Sequence, residues 1–278
     1  MKNAFQKKLL KPILKKNKVF NNQFKDKTCY IFGNGASLKY IDFNYFKNYP
    51  SIGINHLILH KDFNLLNICC YTLPEPMSFY SYFKNPYKRR YEKNIMGRLF
   101  RSQLDKFPNI KLFTSYTNIL GTNFSQTHYL HHFGKKVPDR NYLNLCSEFS
   151  YLAGGLSAGI GLAISLGFNK AILVGCDYLM KPKTYGHFYS QPRKGHDDGH
   201  NPYTQLLHDC VSMINLEVIS INKLHSSWLP CIDYEQHTGV MTKYRENTEI
   251  VSRENLLTLN EAYKMGQYPE PILPKNFD

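Results

Sequence analysis

A short glycine-containing turn, Gly33-Asn34-Gly35-Ala36-Ser37, has the composition of a phosphate-binding loop. It follows the apolar run TCYIF (28–32), which is typical of a short buried strand, and it precedes an apolar pattern with helical spacing. Glycines let the backbone approach an anion, and the amides at the start of a following helix face it. Because the turn has neither a third glycine nor the Lys-Ser/Thr pair of a P-loop, a purely steric role of its glycines stays open.

Two further segments have residues suited to binding a nucleotide. The turn Gly154-Gly155-Leu156-Ser157 opens a helix-like stretch of small and apolar residues, and it either contacts a ligand or allows close packing on a sheet. Asp177 lies at the end of the strand 170–176, within the apolar run KAILVGCDY (170–178), where a carboxylate could meet a base or sugar. The hydroxyl groups of Tyr178 and Tyr185 could donate to a phosphate.

The polar segment GHDDGH (195–200) contains candidate bases and candidate metal ligands. His196 or His200 could accept a proton from a hydroxyl group near neutral pH. The histidines and the Asp197-Asp198 pair could also bind a metal ion, but the sequence marks no further ligand and contains no DxD motif here. We therefore expect no metal, and His196 and His200 remain alternative bases.

These segments can cooperate only if a sheet brings strand ends together. Short apolar runs alternate with helical patterns, which predicts an α/β fold of the Rossmann-like type with a mainly parallel sheet flanked by helices. The predicted strands are 28–32, 51–55, 67–72, 109–116, 170–178 and 216–221. In such a sheet, ligands bind beyond the carboxyl ends of the strands.

The chain of 278 residues is long enough for one large domain with additions. We predict a basic amphipathic arm over 1–27, a Rossmann-like domain over 28–255 and a C-terminal tail over 256–278. The domain includes an insertion at about 86–147, where the pattern becomes basic and then irregular. A lid is predicted at about 179–200, because this polar segment is long for a simple loop.

The charge of the chain is concentrated in the arm, which has nine lysines against the single acid Asp26, in a chain of net charge +14. The apolar residues of the arm have near-helical spacing and are Phe5, Leu9, Leu10, Ile13, Leu14 and Phe20. Such a segment can lie on an anionic membrane surface, or it can be a solvated basic helix. The sequence has no groove-reading or RNP-like motif, so we expect no nucleic-acid partner.

The seven cysteines have no framework spacing, and neither a signal peptide nor an apolar run of membrane-spanning length is present. We therefore expect reduced thiols and a cytoplasmic protein. With the basic arm, the expected location is peripheral to the inner membrane.

Several segments, taken in order, resemble a known family. YIFGNGASLKYIDFNYF, GINHLIL, AISLGFNKAILVGCDY and a later Gly-His are similar to the bacterial lipooligosaccharide sialyltransferases of glycosyltransferase family 42. The resemblance covers two blocks separated by a divergent middle. The opening G-x-G-x-S-L pattern is shared more widely, by motility accessory factors that glycosylate flagella and by a pterin diphosphokinase-like family.

The resemblance implies a single-domain GT-A-variant glycosyltransferase. Such enzymes transfer a sialic-acid-type nonulosonic acid from a CMP-sugar donor to a cell-surface glycan, as in lipooligosaccharide or capsule synthesis, with inversion and without a metal. The donor-binding positions it implies are Asn34, Gly35 and Ser37 at the CMP phosphate and ribose, Asn55 beside the cytosine, Gly155 and Ser157 at the second turn, and Asp177 near the cytidine.

The resemblance also implies catalytic roles. His200 matches the general base that deprotonates the acceptor hydroxyl, and Tyr185 matches a lid tyrosine that stabilises the departing phosphate. Tyr178 stands one residue before the place of the first lid tyrosine, which is Leu179 here. The place of a family arginine falls at Leu152, and Thr72 is nearest to that of an asparagine.

These departures leave the transferred sugar open between sialic acid and a relative such as legionaminic or pseudaminic acid. Two alternatives remain for the function. One is a diphosphokinase-like or other nucleotide-sugar enzyme on the same fold, and the other is a catalytically inactive interaction module. The glycan acceptor and the oligomeric state are not determined by the sequence.

Overall fold

The structure of the chain is a computed structural model. It describes residues 2–76, 78–80, 83–84, 90–91, 94–122, 124–131, 143–152, 154–182, 185–191, 204–269 and 271–273. Of residues 2–8, 83–84, 90–91 and 204–207 it describes only the backbone.

A parallel eight-stranded sheet forms the centre of the fold. Its strands are β1 (Thr28–Phe32), β2 (Ser51–Ile54), β3 (Ile68–Leu73), β6 (Leu112–Ser115), β7 (Thr127–Leu130), β8 (Lys170–Val174), β9 (Asn215–Ser220) and β10 (Cys231–Asp233). They lie in the order β10-β9-β8-β1-β2-β3-β6-β7, and every neighbouring pair is parallel. A separate antiparallel pair consists of β4 (Phe83–Lys84) and β5 (Arg90–Tyr91).

Helices cover both faces of the sheet. They are α1 (Lys2–Lys15), α2 (Ile95–Leu104), α3 (Gly155–Ser165), α4 (Thr204–Val211), α5 (Tyr234–Thr238), α6 (Asn247–Ile250) and α7 (Arg253–Lys264). Short 3₁₀ helices follow several strands and lie at Lys16–Phe20, Ala36–Tyr40, Phe43–Phe46, Asn55–Leu59, Lys61–Leu65, Tyr116–Asn118 and Asp177–Leu179. The predicted Rossmann-like α/β fold is therefore confirmed.

The side chains of β1 alternate between two hydrophobic cores, as the pleat of a strand requires. Tyr30 and Phe32 belong to the core that includes side chains of α2 and α7. Cys29 and Ile31 belong to the opposite core, which includes α3. Because β1 is buried on both faces, its sequence is a continuous apolar run, which is why the strand was predictable.

The edge strand β7 was not predicted, because residues 117–147 lack an apolar run. Among the described strands, β7 pairs with β6 alone, and only Leu130 among its residues is fully buried. A half-exposed edge strand tolerates polar residues, and the sequence THYL therefore resembles a loop.

The N-terminal segment packs on the domain through part of the apolar stripe for which the sequence analysis considered a membrane surface or a solvated helix. Leu10, Leu14 and Phe20 are buried, and Phe20 lies 5.2 Å from Phe113 between ring centroids. Asn17 donates its side-chain amide to two backbone carbonyl groups, at 2.8 and 2.9 Å. The stripe is thus largely used for packing within the chain.

The C-terminal residues also belong to the packed structure. The predicted boundary at residue 255 falls within α7, and both Ile272 and Leu273 are buried. The Asn247 side chain donates to the Ile272 carbonyl at 3.0 Å. Within the described residues, no helix combines the length and the apolar character needed to cross a bilayer. All seven cysteines are free thiols.

Candidate functional site

The direction of strand addition reverses between β1 and β8. From β1 the chain adds β2 and β3 on one side, and it later returns from β7 to place β8, β9 and β10 on the other side. The loops after β1 and β8 therefore start side by side at the carboxyl edge of the sheet, and we call the space above this edge the crevice. Ligands of open α/β sheets bind at such a switch point.

The glycines of the first turn allow the two loops to meet. The Gly33 amide donates to the Val174 carbonyl at 2.7 Å, and the Gly35 amide donates to the Gly175 carbonyl at 2.8 Å. A Cβ atom on Gly33 would lie 2.4 Å from the Gly175 carbonyl oxygen. The steric role of this glycine, left open by the sequence, is therefore real.

A protein carboxylate occupies the turn. Asp177 accepts from the Ser37 amide at 2.7 Å and from the Ser37 hydroxyl through its other oxygen. A Cβ atom on Gly35 would lie 2.5 Å from the Asp177 carboxyl carbon, so only glycine leaves room for it. Both Ser37 donors that the resemblance assigns to the CMP phosphate and ribose are thus directed to Asp177.

This contact also changes the element that follows the turn. The sequence predicted a helix with amides facing a bound anion, and the structure has a 3₁₀ helix over Ala36–Tyr40. The tighter helix brings Ser37 against the carboxylate of Asp177, which takes the place expected for an external anion.

Burial dominates the ionisation of Asp177. Its side chain is removed from water, which raises the pKa of the carboxyl group to about 6, although the hydrogen bonds from Ser37 and the nearby His187 lower it in part. The group therefore titrates close to the physiological range.

Asn55 is held in a strained conformation at the end of β2. Its φ of 49° lies in the left-handed region, which is unusual for a residue other than glycine. The Tyr71 hydroxyl donates to its carbonyl group. A Cβ atom on Gly155 would lie 2.4 Å from the Asn55 side-chain nitrogen, so this side chain covers the start of α3. Strain of this kind is concentrated at functional sites.

Three buried acceptors are unpaired near the carboxyl edge. Within the described part of the chain, nothing donates to Asn34 Oδ1, to Asn55 Oδ1 or to the Thr72 hydroxyl. Asn34 and Asn55 lie in the loops after β1 and β2, and Thr72 is the second-last residue of β3. Buried polar groups without a partner are costly, so these positions are suited to a ligand or to ordered water.

Ser157 supports the second turn from within. Its hydroxyl lies 2.9 Å from both the Tyr151 and Gly154 carbonyl oxygens and is buried. Gly155 begins α3, and the first amides of a helix have no partner inside it. Gly155 therefore meets the side chain of Asn55, whereas Ser157 fixes the backbone of this turn.

Residues 185–191, which are part of the predicted lid, lie across the first turn. Phe188 donates its amide to the Asn34 carbonyl at 3.1 Å, and His187 forms a bridge with Gly35. The buried Lys39 amine donates to the Ser190 carbonyl at 3.0 Å. This segment, residues 185–191, begins with Tyr185, which is half-buried, whereas Tyr178 is 40% exposed.

The sequence analysis missed His187 and Tyr268. The His187 Nδ1 atom lies 3.1 Å from the Tyr268 hydroxyl, which lies 2.7 Å from the Tyr189 hydroxyl. The position of His187 within the predicted lid was an available signal. Nothing in the sequence near Tyr268 indicated a contact with a segment 81 residues away.

The segment GHDDGH lies outside the described residues, and with it both candidate bases, His196 and His200. At the carboxyl edge of the sheet, the structure brings Gly35 and Ser37 into contact with Asp177, and it separately brings Asn55 into contact with Gly155. Asn34 lies in the first turn, between Gly33 and Gly35. Among the residues that it describes, no group of three or more His, Cys, Asp or Glu side chains is arranged to hold a metal ion.

Comparison with known proteins finds neither a matching family model nor a matching curated protein. Among solved structures, the chain is similar to the sialyltransferase CstII from Campylobacter jejuni in complex with cytidine-5'-monophosphate. That match has 16% identity and a TM-score of 0.44, and it covers 85% of this chain and 98% of the other. The CstII complex with CMP-3FNeuAc matches with 17% identity and a TM-score of 0.42, covering 87% and 100%.

We predict that Asp177 makes stability depend on pH. Its folded pKa of about 6 lies above the usual value for an unfolded aspartate, so the folded state binds the extra proton between these values. The contribution of Asp177 to the free energy of unfolding is therefore largest in acid and falls as pH rises from about 4 to about 6, by up to roughly 3 kcal/mol.

The measurement is urea unfolding of the wild type and Asp177→Asn at pH 4, 5, 6 and 7. The stability of the wild type relative to Asp177→Asn should fall over this range. Asp105→Asn, at an exposed aspartate, is the matched control. Parallel stability curves for the wild type and Asp177→Asn would contradict the prediction.

Proposed function

We propose that the protein is a glycosyltransferase that moves a sialic-acid-type nonulosonic acid from a CMP-linked donor to a cell-surface glycan. The observation that supports it most is that the buried acceptors at Asn34, Asn55 and Thr72 have no partner among the described residues and that Asn55 covers the start of α3. It adds to the family resemblance of the same segments.

The chemistry of the crevice suits a nucleotide. Ribose hydroxyls and the cytosine amino group are donors, and they would satisfy the acceptors at Asn34, Asn55 and Thr72. A phosphate needs donors, and the free amides at the start of α3 supply them beside Gly155. In this proposal Asp177 acts mainly by fixing the turn, because its carboxylate already accepts from Ser37.

The proposed reaction is a single displacement. The acceptor hydroxyl oxygen attacks the anomeric carbon, the bond from that carbon to the CMP phosphate oxygen breaks, and CMP leaves as an anion. His200 accepts the proton of the hydroxyl, with His196 as the alternative base. The hydroxyl of Tyr185, with Tyr178 as a second candidate, donates to the leaving phosphate and replaces the charge stabilisation that a metal gives elsewhere.

We predict that CMP stabilises the protein without a metal. At a concentration 100-fold above its dissociation constant, a ligand of the folded state adds about 2.7 kcal/mol to the free energy of unfolding. Thermal shifts with CMP, CDP, UDP, GDP and ATP, each with and without EDTA, measure this. Asn55→Ala should greatly reduce the CMP shift, whereas Asn44→Ala, at an exposed asparagine, should keep it.

The same experiment separates the alternatives. A shift with ATP or a nucleoside diphosphate that disappears in EDTA would favour a diphosphokinase-like enzyme. No shift with any nucleotide would favour an inactive interaction module.

We predict that His200 is needed for the transfer step far more than for the binding of CMP. His200→Ala should lower kcat by about 10²- to 10⁴-fold, the usual range for loss of a general base, with an unchanged CMP thermal shift. Tyr185→Phe should cause a smaller loss. CMP release from a CMP-sugar in the presence of acceptor gives the rate. A greater loss in His196→Ala than in His200→Ala would move the role of base to His196.

The exposed lysines of the N-terminal segment support a peripheral location at an anionic membrane. Because much of the apolar stripe is buried, we propose that charge provides most of the attraction.

Replacing Lys11, Lys15 and Lys18 with glutamate should weaken binding to phosphatidylserine vesicles by about 100-fold or more at low salt. The control replaces exposed Lys47, Lys106 and Lys264, with the same change in net charge. Equal losses in co-sedimentation would exclude a specific role of this segment.

A further inference from the structure

A cavity of about 510 Å³ lies beyond the carboxyl ends of β9 and β10. Its lining includes Asn222, two residues after β9, and Asp233, the last residue of β10. Tyr40 forms part of the wall. The volume is within the usual range of small-molecule sites, roughly 300–1,000 Å³.

A second cavity of about 440 Å³ adjoins the first. Tyr40, Tyr234 and Met241 line both. Of these, Met241 is 78% exposed, whereas Tyr234 is buried. Together the cavities offer adjacent compartments for an elongated ligand.

The cavities are tied directly to the crevice at the switch point. Tyr40 ends the 3₁₀ helix that contains Ser37, so the two residues are one turn apart, about 6 Å along the axis. On the other side, Lys181 and Ser226 exchange backbone hydrogen bonds of 2.7 and 2.9 Å. The Ser227 hydroxyl donates to the Leu179 carbonyl at 2.8 Å. The loop that follows β9 is thereby fastened to the loop that contains Asp177.

The lining has no excess of positive charge, although the chain has a net charge of +14. In the first cavity Lys223 faces Glu235 at 3.3 Å, and Asp233 adds a second carboxylate. In the second, Arg245 pairs with Asp62 at 2.7 Å, and Lys243 and Asp42 balance each other. Such a lining suits an uncharged ligand better than an anion.

The lining combines aromatic faces with both donors and acceptors. Tyr40 lies 5.1 Å from Tyr244 between ring centroids, and Tyr45 is 40% exposed beside the second cavity. Carboxylates accept hydrogen bonds from hydroxyl groups, and Asn222 and Lys223 can donate to them. A ring with hydroxyls at its rim and apolar C–H groups on its faces matches this combination.

We infer that these cavities bind the acceptor of the transfer reaction, and that this acceptor is a neutral saccharide of at least two units. The inference rests on the proposed function, since it takes the crevice beside Asp177 as the donor site. The donor then binds through acceptors and amides at the switch point, and the neutral acceptor binds at the β9–β10 end of the same sheet edge.

The test is saturation-transfer NMR of the full chain with CMP present. The probes are the neutral disaccharides lactose, maltose and cellobiose, and the anionic controls are glucuronic acid and glucose-1-phosphate. At least one neutral disaccharide should bind better than either anion. Tyr40→Ala should weaken that binding by about tenfold through loss of a packing surface. Glu235→Gln should weaken it by about fivefold, because the amide oxygen still accepts a hydrogen bond but without the negative charge.

Controls separate this inference from the proposed function. Tyr263→Ala and Glu261→Gln, at exposed positions of α7, should leave saccharide binding unchanged. The CMP thermal shift should survive Tyr40→Ala. If CMP binds and no neutral disaccharide does, or if Tyr40→Ala binds as well as the wild type, the acceptor site is rejected and the donor site stands. If a saccharide binds at Tyr40 while no nucleotide binds, the saccharide site stands and the proposed transfer fails.

Discussion

The contact between Asp177 and Ser37 determines the geometry of the whole carboxyl edge. It joins loops 140 residues apart in the sequence, and both Ser37 donors end on one buried carboxylate. Removing that carboxylate from water is costly, and the hydrogen bonds from Ser37 offset part of the cost. The two loops at the switch point are therefore held together in one arrangement.

Other parts of the site depend on this arrangement. Because the turn is closed by Asp177, the following 3₁₀ helix has a fixed direction, which places Lys39 under the Ser190 carbonyl and Tyr40 at the cavity wall. The segment 185–191 can then lie across the turn and contact Tyr268. A change in the loop after β8 would consequently move elements on both sides of the crevice.

The loops around the crevice contain buried hydrogen-bond acceptors without a partner. Most buried polar groups in a folded protein have a partner, yet the acceptors at Asn34, Asn55 and Thr72 have none within the described residues. Asn55 also has a strained backbone. A residue with a strained backbone beside buried acceptors at strand ends is typical of a binding site. The two cavities beside Tyr40 are different from the crevice in this respect. Charged side chains of their lining form pairs, such as Arg245 with Asp62.

The sequence by itself determined the fold class and the glycine turns, because strands buried on both faces, such as β1 and β8, are continuous apolar runs. It did not determine the polar edge strand β7 or the burial of the apolar stripe of the N-terminal segment, since half-exposed elements have ambiguous patterns. Only the tertiary structure decided that Asp177 fills the first turn and that His187 meets Tyr268. Such contacts join distant segments, and no local pattern of residues encodes which distant partner a side chain meets.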